Sequence, residues 1–201
     1  MIQKHAASGA STTAAPSRPR TAPSAPSQPD RKAGSGRLFP TKNDLPAATR
    51  GRVTELLNQR LADCIDLQTQ CKQAHWNVKG PSFIALHKLF DDINEDVEEY
   101  VDLLAERVVQ FGGVAEGTAR SVAERTTLPE YPPFLSEGEA HVDALSSALA
   151  AFGAGARKAI EQVDELQDAD TVDILTEISR GVDKWLWFVE AHLQGEGAVE
   201  R

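Results

Sequence analysis

Two histidines and three carboxylates stand in one stretch of the chain at spacings that suit a metal ion: His75, His87, Asp91, Asp102 and Glu106. The residues from His87 onward read as helix. At about 100° per residue, His87, Asp91, Asp102 and Glu106 fall within a sector of about 100°. That face is distinct from the apolar stripe of Leu86, Phe90 and Val97. A single copy cannot close these residues into one site. His87 and Asp102 are fifteen residues apart, or ~22 Å along a helix axis, whereas metal–ligand bonds are near ~2 Å. A second copy of the helix, packed antiparallel across a twofold axis, does close them. His75 and His87 of one subunit then face Asp102 and Glu106 of the other, and symmetry makes two such sites. Mixed imidazole and carboxylate donors suit redox-active iron or manganese and also tolerate zinc. Asp102 and Glu106, four residues apart, are spaced to hold or bridge a metal. The geometry predicts an obligatory dimer with shared metal sites.

The elements that must position these residues read as helices. The first, about Pro46 to Val78, carries Val53, Leu56, Leu57, Leu61, Ile65 and Leu67 at helical spacing. Gly80-Pro81 ends it, and Ser82 can cap the next helix. That second helix shows Leu86, Phe90, Ile93, Val97, Val101, Leu104 and Val108, and Gly112-Gly113 stops it. A long connection follows over 114–134, with a short helix predicted from Thr118 to Arg125 and a Pro-broken run from Leu128 to Phe134. The third long helix is expected to open at Ser136, with Glu139 completing a capping box, and to run through Val142, Leu145, Leu149, Phe152, Ala156, Ile160 and Val163. The fourth starts near Asp170 and uses Leu175, Ile178, Val182, Trp185, Val189 and Leu193. No alternating strand pattern competes. The predicted fold is all-α: a four-helix bundle over 38–195 with a short helix in its central connection, then a short tail over 196–201.

Composition agrees with one soluble domain: 41% of the 201 residues are hydrophobic and 25% charged. No apolar run approaches the roughly 20 residues that span a bilayer, and Met1 to Gly9 has no apolar core of a secretory signal. Cys64 and Cys71 lie on one helical face, seven residues apart, or ~10 Å. That is too far for a disulfide, so they read as reduced, partly buried thiols of an intracellular protein. The net charge of −9 hides an asymmetry. Residues 1–37 carry Lys4, Arg18, Arg20, Arg31, Lys32 and Arg37 against Asp30 alone, a net +5 that leaves −14 for the rest. This basic segment is rich in Ala, Ser, Thr, Pro and Gly, has no aromatic residue, and cannot bury enough apolar surface to offset its ordering entropy. It reads as a disordered tail. Its Ser- and Arg-rich, acid-poor character also resembles an organelle transit peptide.

The segment HWNVKGPSFIALH (75–87), the Asp102/Glu106 pair, the AERVVQFGG ending (105–113) and the later GVDKWLWFVEAHLQ (181–194) together resemble the Dps family (DNA-binding protein from starved cells) of the ferritin superfamily. The resemblance covers about residues 40–195. It implies a ferritin-like bundle that assembles as a hollow homo-dodecamer, oxidises Fe²⁺ preferentially with hydrogen peroxide and stores ferric mineral. It implies protection of DNA and a cytoplasmic, nucleoid-associated location. His75, His87 and Asp91 match the family's histidine-side ligands, and Asp102 and Glu106 the carboxylates from the partner subunit. Glu106 is the expected anchor, with His75 and Asp102 next, while His87 and Asp91 act through water. Trp76 matches an aromatic residue beside the site and Lys72 a lysine near it. Ordinary ferritins place a Glu-x-x-His motif inside each bundle. Here Glu139-Ala-His141 and Glu190-Ala-His192 have the wrong spacing.

Blander readings apply elsewhere. His5, His141 and His192 read as structural, Asp96, Glu98 and Glu99 as a solvated face, and Trp185 and Trp187 as core and interface packing. The acidic turn of Asp164, Asp168, Asp170 and Asp173 suits helix capping. By resemblance, Asp168 and Asp170 are the candidates for an iron-access pore. Lys4, Arg18, Arg20, Arg31 and Lys32 are the candidate DNA contacts, non-specific and salt-sensitive. This tail departs from the lysine-rich family pattern, since four of its six cations are Arg. Two alternatives to a ferroxidase stand. One is a DNA-compacting particle with secondary iron activity. The other is a structural bundle that uses its acidic face only for assembly.

Overall fold

A computed structural model describes residues 38–194. The readings made for residues 1–37 and 196–201, including the disordered tail, His5 and the five candidate DNA contacts, lie outside the described residues. The described residues form helices α1 (Ala47–Asn77), α2 (Phe83–Gln110), α3 (Ala119–Arg125), α4 (Gly138–Asp164) and α5 (Ala169–Glu190). They contain no strand, only an isolated bridge between Lys79 and Glu137. The expected all-α four-helix bundle with its short central helix is the observed fold. None of these helices is long and apolar enough to cross a membrane.

The apolar stripes explain the packing. α1 pairs chiefly with α2 and α4 with α5; α1 also meets α4, and α2 meets α5. The stripe residues Leu57, Leu61, Leu67, Phe90, Ile93, Leu104, Leu145, Leu149, Phe152, Leu175 and Ile178 are fully buried between them. Each such side chain contributes about 1.5–3 kcal/mol of hydrophobic stabilisation. Cys64 and Cys71 are free and wholly buried on α1 rather than partly buried. Burial pushes the Cys71 thiol up to about 12 and raises that of Cys64 well above its ordinary value. Leu193 leaves the α5 stripe because the helix stops at Glu190, and it is exposed.

The opposite face of α1 is polar, yet it is not given over to solvent. Asn58 donates to Val114 O at 3.0 Å and accepts from Glu116 N at 3.0 Å. Gln59 donates to Arg125 O, and Gln70 to Pro129 O. Asp66 accepts from the Thr126 hydroxyl. Asp63, with no solvent exposure, accepts from Thr127 N at 2.7 Å. Its other oxygen lies 2.8 Å from Arg60 Nη2, close enough for an ion pair though not aligned as a hydrogen bond. This ladder satisfies backbone groups of the long connection that no regular structure pairs, and so it straps α3 and its flanks onto α1.

The ends of α2 and α4 differ from expectation in detail. α2 starts after Ser82, but the Ser82 side chain makes no capping bond. α4 opens at Gly138 behind Glu137, without the Ser136/Glu139 capping box. Ser136 is held in an extended stretch instead, because its carbonyl accepts from Lys79 N at 2.8 Å. The α1–α2 turn is thereby tied to the start of α4. At the far end of α2, Gly112 takes φ +78°. Its carbonyl accepts from Phe39 N at 2.7 Å, and a Cβ there would run into the Phe39 backbone, so only glycine suits this turn.

Candidate metal centre

His75 stands two residues before the end of α1, and His87 in the second turn of α2. The turn over 78–82 folds one onto the other. The last four carbonyls of a helix have no partner within it, and His75 O is one of these. It is met by His87 Nδ1 at 2.9 Å. The relation is reciprocal, since His75 Nδ1 lies 2.8 Å from His87 O. The two rings stack with centroids 3.7 Å apart and planes 23° apart. A carbonyl can only accept, so both Nδ1 atoms carry hydrogen. In its neutral form each ring then carries a lone pair on Nε2. This is the tautomer a metal-ligating histidine needs, with its second nitrogen fixed by an outer hydrogen bond.

Asp91, one turn beyond His87, lies 3.7 Å from His75 Nδ1 and 2.6 Å from Lys72 Nζ. The Lys72 hydrogen bond holds the Asp91 carboxyl below the usual carboxylate range. Trp76 is 68% exposed beside this group. His75, His87, Asp91 and Lys72 are thus brought together in one chain. Asp102 and Glu106 lie further along the same unbroken helix, are exposed, and make no hydrogen bond or ion pair among the described residues. Among the described residues of one chain, no three His, Cys, Asp or Glu side chains converge as a metal-binding group.

Elsewhere the acidic turn divides. Asp168 is 3% exposed and caps α5 through Thr171 N and its hydroxyl. Its carboxylate also pairs with Arg107 Nη2 at 2.8 Å. The Asp170 side chain is 84% exposed. His141 is buried on Tyr131, and His192 is exposed. Asp96 is not merely solvated: it accepts from Trp185 Nε1 at 2.8 Å. Trp185 is buried and Trp187 exposed.

Spacing alone missed Arg107, a buried cation on an apolar helix face whose Nε donates to the Thr171 hydroxyl. The signal was present in sequence. A cation three residues after Leu104 and four before Phe111 falls on the buried face and needs a buried anion, and Asp168 is one. The reciprocal histidine bond had no such signal, because it depends on how the turn folds back.

A ferritin-like domain model matches residues 54–196. The DNA protection during starvation protein of Agrobacterium fabrum is 46% identical over 154 residues, covering 77% of this chain and 95% of that one. The chain belongs to the Dps family. The Dps relative from Mycolicibacterium smegmatis, also described as a DNA protection during starvation protein, is 34% identical over 72% of this chain and 79% of its own. Among solved Dps structures, DpsC from Streptomyces coelicolor superposes with a TM-score of 0.77 at 32% identity, covering 85% of this chain and all of that one. The tetragonal form of Mycobacterium smegmatis Dps gives 0.74 at 30% identity, over 83% and 99%.

Proposed function

We propose that this Dps protein is a ferroxidase and iron store whose oxidation centre is built by two subunits. The observation that carries this reading is a donor set split between the two ends of α2, with His75 brought in from the end of α1. At one end two imidazoles are locked with Nε2 lone pairs free. At the other, two exposed carboxylates have no partner among the described residues. Antiparallel pairing of two α2 helices supplies each half with what it lacks. The donor types fit Fe²⁺ as substrate, and they also accept Zn²⁺ or Mn²⁺.

In this reading Glu106 and Asp102 of one subunit, with His75 of the other, hold the first Fe²⁺. His87 and Asp91 contact the second through water. The protein positions the reactants and supplies no nucleophile. Two one-electron oxidations match the two-electron reduction of peroxide: two Fe²⁺, one H₂O₂ and two protons give two Fe³⁺ and two waters. Ferric mineral is then stored in a hollow homo-dodecamer. Asp170, the exposed member of the acidic pair, is the residue that can face an iron-access pore, while Asp168 fixes the helix start behind it.

Similarity to proteins named for DNA protection supports a protective role here, as does the basic segment carrying Lys4, Arg18, Arg20, Arg31 and Lys32. Many tails on one particle would bind phosphate backbones non-specifically. The deciding experiment loads Fe²⁺ anaerobically, pulses peroxide and follows ferric absorbance. It compares wild type with a His75→Ala/Glu106→Ala variant, both first shown to assemble. Fast oxidation lost in the variant is expected. Equally slow oxidation in both would overturn the ferroxidase reading in favour of a DNA-compacting particle.

A further inference from the structure

The face of α2 that carries the metal donors is symmetric along the helix. The midpoint of Phe83–Gln110 falls between Asp96 and Val97. His87 and Glu106 lie at equal distances from that midpoint, and so do Asp91 and Asp102. Antiparallel pairing about the midpoint sets each histidine-side residue against a carboxylate and aligns the two helices end to end. Two aliphatic residues obey the same symmetry. Ile84 is the second residue of α2 and Val109 the last but one, and they are 64% and 59% exposed. At about 100° per residue, both fall within about 20° of Asp91 and Asp102. A single exposed aliphatic side chain needs no explanation. Two at mirror positions on the donor face are what a self-complementary interface requires, because a twofold axis sets residue i on j and j on i.

Both ends of the helix are fixed. The turn before Ile84 is tied to the start of α4, where Lys79 N donates to Ser136 O at 2.8 Å. The turn after Val109 is held by Phe39 N, which donates to Gly112 O at 2.7 Å. The two side chains are therefore presented on a braced backbone. The middle of the face offers no attraction. Glu95 and Glu98, both exposed, would meet the same two residues of a second copy, and like charges repel. The apolar ends are thus where this face can hold a partner. Ile84 lies three residues before His87 and Val109 three after Glu106, about 4.5 Å of helix rise in each case.

We propose that Ile84 of each subunit packs on the partner subunit's Val109, and that this apolar contact caps each shared centre on the side nearest the helix ends. This rests on the two-subunit reading above and names the surface that sets the register of the pair. The apolar shell around a metal site governs solvent access to it. A capped centre gives up its metal slowly to a chelator in solution, and an uncapped one gives it up fast. Ile84 and Val109 touch no metal; they are positioning residues.

Cross-linking reads the contact, and metal release reads the cap. Cys64 and Cys71 are buried, so they do not compete in the assembled protein. Ile84→Cys/Val109→Cys, treated with diamide or a short bis-maleimide, should run as a covalent dimer on a denaturing gel. Each single variant should run as monomer, and so should Ile84→Cys/Glu98→Cys, whose second thiol stands about three turns short. Zn²⁺ held at the centre, identified by its loss in His75→Ala/Glu106→Ala, is then challenged with a chelator. Release should be several-fold faster in Ile84→Ser, or in Val109→Ala if the serine variant does not assemble. It should return to the wild-type rate in Ile84→Val/Val109→Ile, where the two side chains exchange places. Absence of the covalent dimer in assembled protein overturns the contact, and unchanged Zn²⁺ release in the uncapped variant overturns the cap. Either result leaves the ferroxidase reading to its own peroxide test. Zn²⁺ bound equally by wild type and His75→Ala/Glu106→Ala overturns the shared centre and the cap together.

Discussion

Lys72 and Asp91 bear on the proposed metal site in opposite senses. The lysine helps keep Asp91 ionised, yet it places a positive charge where the proposed cation would approach. The folded-state pKa of Asp91 is depressed. The pair's contribution to stability is therefore present above the ordinary aspartate value of ~3.9 and lost as pH falls through the folded value. Both side chains are about one-third exposed, so that contribution is small. Lys72→Met should return Asp91 toward an ordinary titration, seen by carbon NMR, and should tighten binding of Zn²⁺ measured calorimetrically. Weaker Zn²⁺ binding would instead make Lys72 the residue that orients Asp91. At this scale the sequence pointed to His75, His87 and Asp91 as neighbours, and the fold brings them together with Lys72. It could not show the Nδ1 bonds of His75 and His87, which depend on a turn of five residues (78–82) folding one helix end onto the next.

α1 serves as scaffold on two sides, and its polar face is as constrained as its apolar one. Asp63→Ala would strip Thr127 N of its partner and leave Arg60 unpaired. An orphaned buried donor costs about 1–3 kcal/mol, which urea unfolding would register together with earlier proteolysis near Arg125. Gly112→Ala forces a side chain into a positive φ against Phe39, at a cost of about 1–3 kcal/mol, readable as a lower Tm. The helices themselves were legible, since the stripes from Leu86 to Val108 and from Val142 to Val163 are the buried faces observed, with Val101 and Ile160 only partly buried at their edges. The strap was not, because Asn58, Gln59, Asp63, Asp66 and Gln70 look in sequence like any solvated helix face. The Ser136 capping box failed for a related reason: a long-range bond to Lys79 outcompeted a local one.

Across the molecule, Arg107 and Asp168 join the end of α2 to the start of α5. Replacing one member strands the other charge inside the protein, so Arg107→Leu should cost about 3–5 kcal/mol, measured by chemical denaturation. The expectation of a shared centre belongs at this level and rests on distance alone, because fifteen residues of straight helix cannot bend back on themselves. The charge split between segment 1–37 and the remainder belongs here as well. Deleting residues 1–37 should abolish a salt-sensitive DNA mobility shift while leaving iron uptake intact. An unchanged shift would move DNA contact onto the helical body.

The two cysteines bear on the kinetics of this body. Both thiols are sealed between α1 and its neighbours and are hardly ionised at neutral pH. An alkylating reagent can therefore reach them only during moments when α1 peels away. The rate of iodoacetamide capture, followed by mass spectrometry across reagent concentrations, becomes a clock for that opening. It would time the breathing of the same helix that presents His75, in the native particle and without any introduced probe.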